Sequence, residues 1–163
     1  MKHAANIRPA RGATPVGHLA DLPAVEKGAV LYLRLWCDGP EARQAIAGDF
    51  HLLFGAERGD QLVAALTHVV CLTLGHARRP LMRHGTGCPC LGGDESAFAQ
   101  MIAAAACGDR DDAVLFGMTL MSAPAVVDLM AEAEQLGLAF AEMFGPAPHH
   151  PLRGAPPAPY PLH

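Results

Sequence analysis

At 163 residues, 51% of them hydrophobic, the chain is long enough for one domain with a buried core and too apolar for global disorder. With 12 Lys and Arg against 16 Asp and Glu, its formal charge is −4, which disfavours a general nucleic-acid binder, since such proteins carry basic surfaces. An odd count of 5 cysteines argues against a disulfide framework, and no apolar stretch reaches the roughly 20 residues of a membrane span.

No signal-like apolar run follows Met1-Lys2-His3, so the expected location is the cytoplasm, with no membrane partner. Residues 1–21 read as a flexible arm, because Pro9, Gly12, Pro15 and Gly17 punctuate a segment without hydrophobic period. A helical domain is expected over 22–144. Its first helix runs from about Leu22 to Trp36. The stretch Val30 to Trp36 alternates like a strand, but no second convincing strand offers itself as a partner, and helix is preferred.

Asp38-Gly39-Pro40 marks the next start, with Asp38 as N-cap and proline in the first turn. Ala42, Ile46, Phe50 and Leu53 then share a face, and Gly55 ends the helix. The following helix spans about Glu57 to Leu74. Leu62, Leu66, Val69 and Thr73 form its inner stripe, while Val63, Val70 and Leu74 extend the apolar surface nearly all round. That predicts a central position or a subunit face.

Residues 75–93 hold five glycines and two prolines and read as one long loop. Helix resumes at Asp94, a candidate cap, with Phe98, Met101, Ile102 and Ala105 inward, and closes at Cys107-Gly108. Asp109 caps another helix, and Ser122 with Pro124 opens a last one that reaches Phe144. About six helices with short connections predict an all-α compact bundle. From Gly145 to His163, seven of nineteen residues are proline, which excludes helix and predicts an extended, flexible tail containing His149, His150 and His163.

The chemistry concentrates between His68 and Cys90, where three of the five cysteines and three of the nine histidines fall. A structural zinc site takes four N or S ligands, often as two pairs each local in sequence. Cys71, His84, Cys88 and Cys90 are the candidate ligands, with His68 and His76 in reserve. His68 and Cys71 lie three apart on a predicted helix and project together. Gly-Thr-Gly lets His84 and Cys88 turn to one side, and Pro89 restricts the backbone between Cys88 and Cys90. A connection of this length in a compact domain needs something to hold it, and zinc would do so.

Three readings compete with zinc. The cysteines can be packed thiols. Cys88 and Cys90 can be a redox-responsive pair, with Arg78, Arg79 and Arg83 supplying positive potential that favours thiolate. The chain can also be a metal-free helical interaction protein that homodimerises through its near-circumferentially apolar helix. The three arginines have a plausible partner in Asp109, Asp111 and Asp112. The stretch from Asp94 to Phe144, with nine acidic residues and one basic, suits an interface between subunits. Asp94 and Glu95 are adjacent and cannot point the same way on a helix, so paired acid–base chemistry is not expected. No Gly-x-Ser-x-Gly, phosphate-binding glycine loop, dinucleotide fingerprint or His-Glu-x-x-His occurs, so the commonest recognisable enzyme classes lose support.

Overall fold

The alternating stretch from Val30 to Trp36 resolves as helix in a computed structural model that describes residue 12 and residues 14–145. It lies within α1 (Ala24–Cys37). As a helix it turns Ala29, Val30, Leu33 and Arg34 to one buried face, which the 3.6-residue period requires of positions three and four apart. Five further long elements follow the same logic: α2 (Pro40–Phe54), α3 (Ala56–Gly75), α4 (Gly93–Ala106), α5 (Arg110–Leu120) and α7 (Met130–Phe144), with a short α6 (Ala123–Asp128) before the last. Seven α-helices among the described residues make an all-α bundle. No described helix is long and apolar enough to cross a membrane.

Local signals set several boundaries. Gly55, at φ 79°, both ends α2 and precedes α3, because glycine adopts a left-handed conformation at little cost. Asp109 caps α5 by accepting from the Asp112 backbone N–H at 3.3 Å. Pro40 and Pro124 sit in the first turns of α2 and α6. The cap of α2 is Gly39 at φ 113°, not Asp38. The last predicted helix is two: Leu129, fully buried, turns the chain between α6 and α7.

The core forms where α4 lies against α1, α5 and α7. Phe98, Met101 and Ile102 of α4 are buried with Leu33, Leu136 and Phe140. Two glycines allow close approaches between these helices. A Cβ on Gly137 of α7 would stand 2.7 Å from the Ile102 carbonyl oxygen, and one on Gly28 of α1 would meet Phe140 at 2.8 Å. An aromatic layer joins α1, α2 and α7. Tyr32 stacks on Phe50 at 5.1 Å between ring centroids and tilts against Phe140 at 5.2 Å, while its hydroxyl donates to Asp49 at 3.0 Å. Burial and that carboxylate push the Tyr32 phenol well above its ordinary pKa.

Part of the segment expected as an arm carries a short strand, β1 (Pro15–His18), followed by a 3₁₀ turn (Leu19–Asp21). It pairs antiparallel with β2 (Cys90–Gly92) at the end of the long loop, in the register His18 to Cys90, Gly17 to Leu91 and Pro15 to Gly92. The predicted proline-rich tail, with His149, His150 and His163, lies outside the described residues.

Candidate functional site

The loop between α3 and β2 is held to the bundle at a series of points, several of them made by its own arginines. At its start Ala77 bridges to Met121, the Arg78 N–H donates to Leu120 O at 2.9 Å and Arg78 Nε to Met121 O at 3.2 Å. Arg79 then grips Asp94 with both terminal nitrogens, at 2.7 and 2.6 Å, and the Met82 N–H donates to the same carboxylate at 2.9 Å. Arg83 reaches back to the carbonyl of Cys37 at 3.2 Å. The three arginines therefore meet Asp94 and backbone carbonyls, in place of the acidic cluster at 109–112.

At the centre of these attachments is a buried ion pair. Arg34 of α1 and Glu95 in the first turn of α4 both have side chains with no exposed surface. Arg34 Nε donates to Glu95 Oε1 at 2.7 Å and Nη2 to Oε2 at 2.9 Å. The remaining donors go to loop carbonyls: Nη2 to Cys90 O at 2.6 Å, and Nη1 to Cys88 O at 2.7 Å and Gly85 O at 3.2 Å. A guanidinium has five N–H groups in a planar fork, and all five are engaged.

Glu95 is as fully used. Besides Arg34, its oxygens accept from the His84 N–H at 2.9 Å, the Gly92 N–H at 2.8 Å and the His84 ring at 2.9 Å. The bond from Gly92 is the return half of a capping box, with glycine at the cap offering no side chain of its own. Burial works against the charge of this carboxylate. The hydrogen bonds from Arg34, Gly92 and His84 outweigh it and bring the pKa down to about 2. Since Glu95 is ionised and can only accept, His84 carries its proton on Nδ1, a tautomer assigned from the bonding pattern.

Asp94 and Glu95 thus point to different partners, as neighbours on a helix must. Neither is the helix cap, because α4 starts one residue earlier, behind Gly92. Asp94 is the bidentate partner of Arg79, and Glu95 holds Arg34.

The predicted zinc ligands are distributed as follows. Cys88 and Cys90 are half-buried and flank Pro89 on the pinned loop. His84 is committed through Nδ1 to Glu95. Cys71 is exposed on α3, not in the core. His68 is exposed on the same helix and bonds Glu132 of α7 at 3.2 Å. His76 is exposed at the end of α3. The structure brings together Cys88 and Cys90 but not the four together. Among the described residues, no group of three or more His, Cys, Asp or Glu is arranged to hold a metal ion.

All five cysteines carry free thiols. The Cys88 thiol, as hydrogen-bond partner and close neighbour, pushes the Cys90 thiol above its ordinary pKa, with Arg34 acting the other way. Burial pushes Cys37 up against the opposing charges of Arg83 and Arg43. Two of the surface hollows lie elsewhere, one between α3 and α7 lined by Gln61, His68 and Glu132 and one beside Cys107 and Asp112.

The residue that sequence reasoning missed is Arg34, and the signal for it existed. An arginine in the run Leu31-Tyr32-Leu33-Arg34-Leu35-Trp36, four residues after Val30, occupies a core position. A charge there demands a partner. The fold and the site together define a helical bundle with a loop clamped by a buried arginine–glutamate pair. No family model, curated protein or solved structure matches this chain.

Proposed function

We propose that the protein is a thiol-responsive helical protein in which Cys88 and Cys90 form a reversible dithiol–disulfide pair. One observation carries this reading: two half-buried cysteines, a single proline apart, sit on a backbone that Arg34 pins through both their carbonyls. Pro89 limits the backbone torsions between them, which reduces the conformational freedom lost on closing a disulfide. The reaction is thiol–disulfide exchange with a low-molecular-weight disulfide. The Cys88 thiolate attacks one sulfur and expels the other half as thiolate, which takes up a proton. The Cys90 thiolate then attacks the mixed disulfide at the Cys88 sulfur and expels the second half. One external disulfide is reduced to two thiols, and two protein thiols are oxidised. In a reducing cytoplasm the resting state would be the dithiol.

The zinc reading, through Cys71, His84, Cys88 and Cys90, needs four ligands at one point. It would draw Cys71 from the exposed face of α3 and compete with Glu95 for the orientation of His84. Thiol exchange uses the two residues already adjacent and is preferred.

The test is to equilibrate the protein with glutathione disulfide, alkylate the remaining thiols and map modified peptides by mass spectrometry. Cys88 and Cys90 should escape alkylation together, joined to each other, and become reactive again after reduction. Persistent alkylation of both refutes the reading. Close to one equivalent of zinc in untagged protein purified without chelator would transfer the site to the metal.

A further inference from the structure

The same three residues that carry the dithiol also hold two distant parts of the chain, and they do so through their carbonyls. Cys88 O accepts from Arg34 Nη1 at 2.7 Å and Cys90 O from Arg34 Nη2 at 2.6 Å. Between them, Pro89 O accepts from the Leu19 N–H at 2.8 Å. Leu19 directly follows β1, and Cys90 itself faces His18 in the β1–β2 ladder. We infer that the redox state of Cys88 and Cys90 controls whether β1 stays docked on the loop. This rests on the dithiol reading above and names its output.

The link is covalent geometry. A disulfide between Cys88 and Cys90 closes a small ring whose backbone atoms include the carbonyl carbons of Cys88 and Pro89. Disulfides tolerate only a narrow range of length and dihedral angle, so closing that ring rotates the peptide planes within it. Pro89 cannot absorb the change at φ, which its own ring fixes. The adjustment falls on ψ of Cys88, ψ of Pro89 and φ of Cys90. The first two torsions aim the carbonyls that Arg34 and Leu19 use. Oxidation therefore turns the Pro89 carbonyl away from Leu19 and loosens the adjoining pair His18–Cys90. The Arg34 side of the hub is more resistant, because its two bonds to Glu95 and the bond to Gly85 lie outside the ring.

Amide hydrogen exchange, read residue by residue on the full chain before and after oxidation by glutathione disulfide, tests this. The Leu19 amide and those of β1 should exchange about tenfold faster in the oxidised protein, the change expected from loss of roughly one hydrogen bond. Amides of α2 and α3 should keep their protection, and reduction should restore β1. A Cys88→Ser/Cys90→Ser variant treated with the same oxidant should keep its β1 protection. If the Cys88–Cys90 disulfide forms and β1 exchange is unchanged, the coupling is wrong while the dithiol reading stands. If no such disulfide forms, both fail. Loss of β1 protection in the double serine variant, or equal loss across α2 and α3, would also overturn the coupling, since other thiols or global destabilisation would then be the cause.

Discussion

Replacing Glu95 by glutamine tests what holds the loop. The substitution keeps size and shape but removes a charge and turns one acceptor into a donor. Oε1 accepts from Arg34 Nε and the His84 N–H, and Oε2 accepts from Arg34 Nη2, the His84 ring and the Gly92 N–H. Whichever way the amide is turned, its NH₂ faces donors. Arg34, with no exposed surface, is left charged with only neutral acceptors around it. Breaking a buried pair by removing one partner costs about 3–5 kcal/mol. For a chain of this size that lowers Tm by roughly 10–15 °C. Replacing both residues by apolar ones is often close to neutral elsewhere. Here an Arg34→Met/Glu95→Leu variant should remain clearly destabilised, since it orphans the carbonyls of Gly85, Cys88 and Cys90. Urea unfolding followed by circular dichroism and Trp36 fluorescence measures each variant. Glu142→Gln is the comparison. Its pair with Arg58 is 45% and 52% exposed, and such pairs contribute about 1 kcal/mol or less. If Glu95→Gln costs no more than Glu142→Gln, the ion pair is not the anchor.

Acid should act on the same group. The Glu95 pKa is lowered from an ordinary 4.5 to about 2, so its contribution is complete above pH 4.5 and is lost as pH falls toward 2. The change is on the order of 3 kcal/mol, and stability measured between pH 5 and 2.5 should fall less steeply in Glu95→Gln than in the parent. Gly137→Ala should cost about 1–3 kcal/mol, because its Cβ would stand 2.7 Å from the Ile102 carbonyl oxygen and 2.6 Å from the Ala106 Cβ. Gly48→Ala, in the exposed interior of α2 with nothing within 4 Å, should instead stabilise by up to about 1 kcal/mol through helix propensity; thermal unfolding of the two alanine variants distinguishes them.

The amino-acid pattern settles what depends on near neighbours. Apolar spacing in Ala42 to Leu53 and Leu62 to Thr73 specified helices and, at Ile46, Phe50, Leu62, Leu66, Val69 and Thr73, their inner faces, while Leu53, expected on the same face, is exposed; Gly55 and Asp109 specified where helices stop or start. These are interactions within a turn or two, so residue type and spacing suffice. It also marked the loop around His84, Cys88 and Cys90 as needing a tether. What the tether is follows from packing between distant parts of the chain. Arg34 and Glu95 are 61 positions apart, and three of the arginine's five bonds go to backbone carbonyls of Gly85, Cys88 and Cys90. A carbonyl is the same in every residue, so those bonds leave no mark on side-chain pattern. The pairing of β1 with β2 was hidden for the same reason, being backbone to backbone across the chain. The loop's cysteines invited a metal because thiols are visible in a sequence, whereas main-chain oxygens held by a distant buried arginine are not.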